Sequence, residues 1–250
     1  MQSSTAVITR LTQWQWHAMD GDQVVGRGEA SPRSDGRVFL SIDAWQDEVF
    51  DQLAAAMLTD LPAPLYTVVD EDDRDLIANW ERAGFTTCRR DWEYSVPTDP
   101  AVTGLDSHVQ PADLTILDLG AAEADSLREL RQAIYDEVEA TLGWQVMPAE
   151  VLPFALTPSN HVVAVQPDGY VGLIGVQTIR LPRIKLIAVR SGVHRRGIAH
   201  ALLAHVLGSM HRSGITAVRA ELNESNAAAT ALFENIGARQ VSSSLELVRR

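Results

Sequence analysis

Between residues 13 and 42, short apolar runs alternate with turn-forming clusters: Trp14 to Met19, then Gly21-Asp22, Val24-Val25-Gly26, Ser34-Asp35-Gly36 and Val38 to Ile42. Apolar runs punctuated in this way predict three antiparallel strands. Val49, Phe50, Leu53, Met57 and Leu61 then recur at helical spacing around Ala54-Ala55-Ala56, so a helix leaves the third strand. A strand is expected from Leu65 to Val69, a helix from Asp73 through Trp80 ending at Gly84, and a strand from Cys88 to Val96. Pro97 to Gly104 holds two prolines, a glycine and a single large apolar residue, Val102. That composition places a linker at residues 98–106 between domains at 1–97 and 107–250.

After the linker an amphipathic helix is expected from Glu123 to Leu142, with Leu127, Leu130, Ile134, Val138 and Leu142 on one face. Strands follow at His161 to Val165, Tyr170 to Ile179 and Arg183 to Val189. A helix from Ile198 to Arg212, a strand from Ala217 to Leu222, a helix from Asn226 to Ile236 and a strand from Ser242 to Val248 complete the chain. The order implies an α/β (α+β type) fold, a mixed, mostly antiparallel sheet flanked by helices. One ungapped shift also lays Asp73 on Asn226, Trp80 on Phe233, Glu81 on Glu234, Gly84 on Gly237 and Glu93 on Glu246. Matching the preceding strands leaves the first half six residues shorter, between Asp43 and Leu65. The ordered elements favour a tandem repeat over a chance likeness of two α/β pieces.

Charge narrows the partners. The net charge of -12 argues against nucleic acid, whose phosphates call for a basic surface, and suits a cationic ligand as well as plain solubility. The N-terminal residues lack a basic segment followed by an apolar core, and no window approaches the roughly 18 apolar residues of a membrane span, so no membrane partner and a cytoplasmic location are expected. Cys88 is the sole cysteine, which rules out an intramolecular disulfide and reads as a buried thiol. His200, His205 and His211 are spaced by five and six residues, which does not stack imidazoles on one helical face, so no metal site is expected. Five of the six tryptophans, Trp14, Trp16, Trp45, Trp80 and Trp92, lie in the first half and read as core.

The sharpest chemical signal is Leu186-Ile187-Ala188-Val189-Arg190-Ser191-Gly192-Val193-His194-Arg195-Arg196-Gly197-Ile198-Ala199, an apolar strand passing through a basic loop into a helix. N–H groups at a helix start, with the helix dipole, make a site for pyrophosphate. Alone, Arg195 to Ala199 is a weak pattern that reads more readily as a solvated basic turn. In its context the segment resembles motif A of the GNAT (GCN5-related N-acetyltransferase) superfamily, whose loop reads Gln/Arg-x-x-Gly-x-Gly/Ala, with His194 here in the first place. Downstream, Asn226-x-x-Ala229-x-x-Leu232-Phe233-x-x-x-Gly237 resembles the family's Asn-x-x-Ala-x-x-Leu-Tyr-x-x-x-Gly segment, with phenylalanine in the tyrosine position. The likeness covers roughly residues 114–250 and, more loosely, the first half, giving two GNAT-like halves.

The resemblance implies an acetyl-CoA-dependent N-acetyltransferase that acts on a primary amine by direct attack, with no metal. Ile187, Ala188 and Val189 would offer backbone groups to the acetyl and pantetheine part, and a plain core strand is compatible with that. His194, Arg195, Arg196, Gly197, Ile198, Ala199 and His200 would hold the pyrophosphate, with Asn226 and Phe233 also at the cofactor. Glu221 is the candidate general base. Tyr135, Asp136, Glu137 and Trp144 border the expected acceptor cleft, where the carboxylates suit either a cation or a solvated face. In the first half, Asp43 to Val49 stands in place of the basic loop, and its three carboxylates, Asp43, Asp47 and Glu48, would repel pyrophosphate, so that half is expected to be degenerate. Phe233, lacking a proton to give, leaves open a CoA-binding regulatory or scaffolding protein, and the two-half layout a mycothiol synthase-like tandem acetyltransferase. Acceptors could be small molecules or peptides.

Overall fold

The computed structural model describes residues 6–33, 35–107, 109–141, 143, 157–178 and 181–250. In chain order these form β1 (Val7–Thr12), β2 (Gln15–Asp20), β3 (Gln23–Pro32), β4 (Val38–Ala44), α1 (Asp47–Asp60), β5 (Leu65–Asp70), α2 (Arg74–Arg82) and β6 (Thr86–Pro97). A one-turn helix, α3 (Pro100–Thr103), leads to β7 (Thr115–Leu117), α4 (Ala124–Glu139), β8 (His161–Gln166), β9 (Gly169–Gln177) and β10 (Arg183–Val189). Then come α5 (Ile198–Arg212), β11 (Ala217–Asn223), α6 (Ala227–Asn235) and β12 (Arg239–Arg249). The chain divides into two compact units, one of residues 1–91 with 242–250 and one of residues 92–241.

In the first unit β1 to β4 pair antiparallel in sequence, β4 and β5 pair in parallel, and β12 runs antiparallel to β5 with Leu245 opposite Val69. The C-terminal strand therefore belongs with the N-terminal unit, which a boundary placed only by loop composition at 98–106 does not capture. Helix α1 buries Val49, Phe50, Leu53, Ala54 and Met57 because they share one stripe at helical spacing. Trp80 of α2 meets Phe50 and Phe85 edge-on, with ring centroids 5.0 and 4.8 Å away, the geometry favoured by aromatic quadrupoles. Strand β1 is not announced by the apolar pattern, since Val7 and Leu11 face solvent. Two expectations of burial fail here. Trp45 is 96% exposed, while Trp16 and Trp80 are core. Cys88 is exposed on β6, with its Sγ 3.2 Å from the Glu246 carbonyl. Desolvation and the nearby Glu246 carboxylate push this thiol up to about 11, which keeps it protonated and unreactive.

In the second unit β11 and β10 are parallel neighbours, and β10, β9, β8 and β7 pair antiparallel in turn. Helix α5 covers one face, where Leu202, Leu203, Val206 and Leu207 pack with Tyr94, Val96 and Phe233. Helix α4 covers the other, laying Leu127, Leu130 and Ile134 on Val163 and Leu173. Residues 98–106, expected as a linker, are instead built into this unit. Thr98 N–H bonds to the Thr216 carbonyl at 3.2 Å, and Thr98, Thr103 and Leu105 are buried. Pro100 there starts a helix turn, at α3 position N1, rather than loosening the chain.

The two units repeat one internal geometry. Asp73 and Asn226 are both N-caps, with φ/ψ of -83°/76° and -86°/71°, and each side chain accepts the N–H three residues on at 3.0 Å. Helices α2 and α6 each span nine residues and end at glycines with φ of +89° and +79°. Phe85 N–H bonds back to the Trp80 carbonyl as Ala238 N–H does to Phe233, closing the same C-terminal turn. The second unit inserts α4 between β7 and β8, and from β4 and β10 onward only one connection differs in length. Two residues, Trp45 and Gln46, join β4 to α1, whereas the eight residues 190–197 join β10 to α5. The six missing residues thus fall where the basic loop stands in the second unit.

Candidate functional site

The second unit carries an opening made by its own strand register. β10 pairs with β11 at Arg183–Arg219 and Ile184–Ala220 only, while its pairing with β9 continues to Val189–Gly172. Beyond Ile184 the strands part, so Ile187 to Val189 turn main-chain groups toward β11 without a ladder partner on that side. A bulge between Ile184 and Leu186 adds to the divergence. It also resets the alternation: Ile184, Ile187 and Val189 pack toward α5, and Leu186 and Ala188 toward α4.

The parted strands lead into the loop. Arg190 N–H bonds to the Val171 carbonyl at 2.8 Å, residues Ser191–Val193 form a 3₁₀ turn, and Arg195 and Gly197 take positive φ of +66° and +81°. Such alternation turns successive N–H groups inward, as in anion-binding nests. A Cβ built on Gly197 meets no atom within 4 Å, so the space before α5 is open. Ala201 N–H makes the first bond back into the helix, to the Gly197 carbonyl at 3.0 Å. The N–H groups of Ile198, Ala199 and His200 precede it, at the positive end of a 15-residue helix. Arg195 and Arg196 are exposed beside them. The assembly suits a pyrophosphate. His194 differs from expectation: its Nε2 lies 2.7 Å from the Val189 carbonyl, so the ring ties the loop back to its strand rather than offering that nitrogen to a phosphate.

The first unit keeps the parted strands, pairing β4 and β5 only at Val38–Leu65 and Phe39–Tyr66, but not the loop. Its α1 begins with Asp47 and Glu48 in the first turn. Carboxylates there satisfy the helix dipole themselves and oppose an anionic ligand.

The remaining candidates divide. Val218, Ala220 and Leu222 of β11 point into the α5 core, which directs Arg219, Glu221 and Asn223 to the opposite face. Glu221 follows Ala220, the last residue paired with β10, and so stands where the strands begin to part. On that face Arg183 bonds to Glu93 at 2.8 Å, with Arg219 3.9 Å from the same carboxylate, a cluster not anticipated from the sequence because its members lie on three strands. Asn223 accepts from Ser225 N–H at 2.9 Å and Asn226 caps α6, so both side-chain oxygens hold the turn that leads into that helix. Phe233 is 1% exposed, in the α5 core beside Tyr94, whose hydroxyl donates to Glu234 at 3.1 Å.

On α4, Tyr135 and Asp136 face outward, and Asp136 accepts from Gln132 at 2.8 Å. Glu137 instead faces the loop. Its carboxylate accepts from Arg190 Nε at 2.6 Å and from Ser191 N–H at 2.7 Å. Partial burial raises its pKa, but those hydrogen bonds and the Arg190 charge outweigh this and hold it below the ordinary value. Glu137 is therefore occupied and does not serve the acceptor as expected. Trp144 lies outside the described residues.

Comparison with known proteins agrees with this geometry. The family model described as an acetyltransferase (GNAT) domain matches residues 131–247. A GCN5-related N-acetyltransferase from Sphaerobacter thermophilus shares the fold over 96% of this chain and 82% of its own, at 18% identity and a TM-score of 0.66. A tandem GNAT protein from the clavulanic acid biosynthesis pathway does so over 94% and 82%, at 13% identity and a TM-score of 0.65. A GCN5-related N-acetyltransferase from Kribbella flavida covers 90% and 86%, at 14% identity and a TM-score of 0.60. No curated protein matches the chain in sequence. Among the described residues no helix is long and apolar enough to cross a membrane. With parted strands and a glycine loop at a helix N-terminus inside the matched segment, residues 131–247 form a GNAT acetyltransferase domain, whose fold supports acyl transfer.

Proposed function

We propose that the second unit binds acetyl-CoA and transfers its acetyl group to a primary amine, while the first unit binds no CoA. The observation that carries this reading is the contrast between two like openings: β10 and β11 part onto an eight-residue basic loop, β4 and β5 onto two residues and an acidic helix start. The pyrophosphate would rest on the N–H groups from Gly197 to His200 with Arg195 and Arg196, and the pantetheine arm between β10 and β11 on the main chain of Ile187 to Val189. Glu221 would take a proton from the amine directly or through water. The amine nitrogen then forms a bond to the thioester carbon as the C–S bond breaks, its excess proton passing to water or to the departing thiolate, and an unpaired N–H of β10 steadies the oxyanion. The acceptor in this proposal is a small cationic amine, drawn by the net charge of -12 and by Asp136 on the outer face of α4. Calorimetric titration with acetyl-CoA tests the central step: one site per chain supports it, and two equal sites or none would remove it.

A second reading is a CoA-binding regulatory protein with little turnover, favoured by Phe233, whose buried ring has no proton for the departing thiolate. A tandem acetyltransferase of the mycothiol synthase type is a variant of the enzyme reading, supported by the repeated caps and turns of the two units.

A further inference from the structure

We infer that Glu137 is a positioning residue for the donor: a clasp on α4 that sets the loop between β10 and α5 in its pyrophosphate-binding shape. This inference rests on the assignment of that loop to acetyl-CoA. One carboxylate makes two charge-assisted bonds to adjacent residues, Arg190 Nε at 2.6 Å and Ser191 N–H at 2.7 Å. These residues are the first after β10, where the chain leaves the sheet. Arg190 is fixed again through its own N–H to Val171, and His194 closes the loop onto Val189, so the segment is tied at three points before the positive-φ residues Arg195 and Gly197. Holding the ends of a strained segment over-determines its conformation. With its hydrogen-bonding atoms so engaged, Glu137 acts through the loop and not on the amine.

The clasp and simple electrostatics predict opposite signs. Removing a carboxylate near a polyanion site, and releasing the Arg190 guanidinium, should tighten binding of CoA if charge alone mattered. If Glu137 holds the loop, its loss weakens binding, since the N–H groups must be ordered anew when the ligand arrives. A donor without pyrophosphate, S-acetylpantetheine, does not use the loop and should not sense the change.

The experiment measures CoA affinity by calorimetry, and kcat/KM with acetyl-CoA and with S-acetylpantetheine, for the full chain and for Glu137→Gln, Glu137→Ala, Arg190→Ala and the variant carrying both Glu137→Ala and Arg190→Ala. The expected result is a CoA Kd raised roughly tenfold in Glu137→Ala, less in Glu137→Gln, the size expected for loss of charge-assisted bonds. Arg190→Ala should add little to Glu137→Ala, and kcat/KM with S-acetylpantetheine should hold within about twofold. Tighter or unchanged CoA binding in the Glu137 variants, or equal losses with both donors and a raised KM for the amine, would overturn the clasp. Should Glu137→Ala not fold, Glu137→Gln carries the same comparison. Wild-type protein that binds no CoA would overturn the underlying assignment, and this inference with it, an outcome distinct from wild-type binding with indifferent variants.

Discussion

Replacing Gly197 with glutamate separates the loop's role in binding from its role in folding. At φ of +81° a side chain strains the backbone by about 1–2 kcal/mol, but a Cβ there meets nothing within 4 Å, so no clash is added. In a chain of 250 residues that strain should lower Tm by only a few degrees. The new carboxylate, however, would share the space before α5 with the pyrophosphate. At ~5 Å and an effective dielectric constant of ~20, each like-charge pair costs about 3 kcal/mol. Affinity for CoA should therefore fall by roughly 100-fold or more. The assay is a calorimetric titration alongside a thermal melt, with Gly197→Ala reporting strain without charge and Asp47→Ala serving as the counterpart in the first unit. Gly197→Glu that melts within a few degrees of wild type yet binds CoA within a few fold would refute placement of the pyrophosphate at this helix.

Other expectations follow from the same geometry. Burial lowers the His161 pKa from its ordinary value, so the unfolded chain binds the proton more readily. Stability should accordingly fall as pH drops below about 6.5, by up to about 1.4 kcal/mol per unit, and denaturant titrations should show a shallower slope in His161→Gln. Asp73→Ala and Asn226→Ala remove equivalent caps, and each should cost about 1 kcal/mol in the same titrations. A chain beginning at residue 107 lacks Tyr94, Val96 and Leu105 from the core of its own unit. At roughly 1.5–3 kcal/mol for each buried side chain, it should aggregate, and a cooperative melt would count against that core. Phe233→Tyr should raise turnover if the thiolate otherwise leaves unassisted, with a stability cost of about 1–3 kcal/mol should the new hydroxyl find no partner in the core; slower turnover with intact CoA binding would leave Phe233 a packing residue. Raised ionic strength should weaken the apparent amine affinity more than turnover, and Asp136→Asn should do the same; neither change would remove α4 from acceptor recruitment.

The parts legible in the sequence were those with a local cause. Arg183 to Val189 and Ile198 to Arg212 fall on β10 and α5 because an apolar run, a basic turn and a glycine mark their limits within a few residues. The repeat was visible for a like reason, as Asp73 and Asn226 cap their helices by the same side-chain bond. What escaped depends on partners distant in sequence. Cys88 looks apolar, yet its face of β6 is uncovered, and Trp45 lies in a shortened turn with nothing to pack on. Glu137 belonged to an acidic run, and only the fold reveals that it meets Arg190 and Ser191, 53 and 54 residues away. The bulge beside Lys185 likewise has no sequence signature, although it decides which side chains of β10 face α5.

Acetyl transfer is tested most directly by supplying purified protein with acetyl-CoA and a library of amines while following the free CoA thiol, with mass spectrometry of the amine in each positive well. The expected result is CoA release that depends on one class of amine, matches the acetylated product in amount, and is lost in Gly197→Glu. Acetyl-CoA bound at one site per chain, with no amine releasing CoA above the protein-free rate, would contradict acetyl transfer and leave a CoA-binding protein in its place.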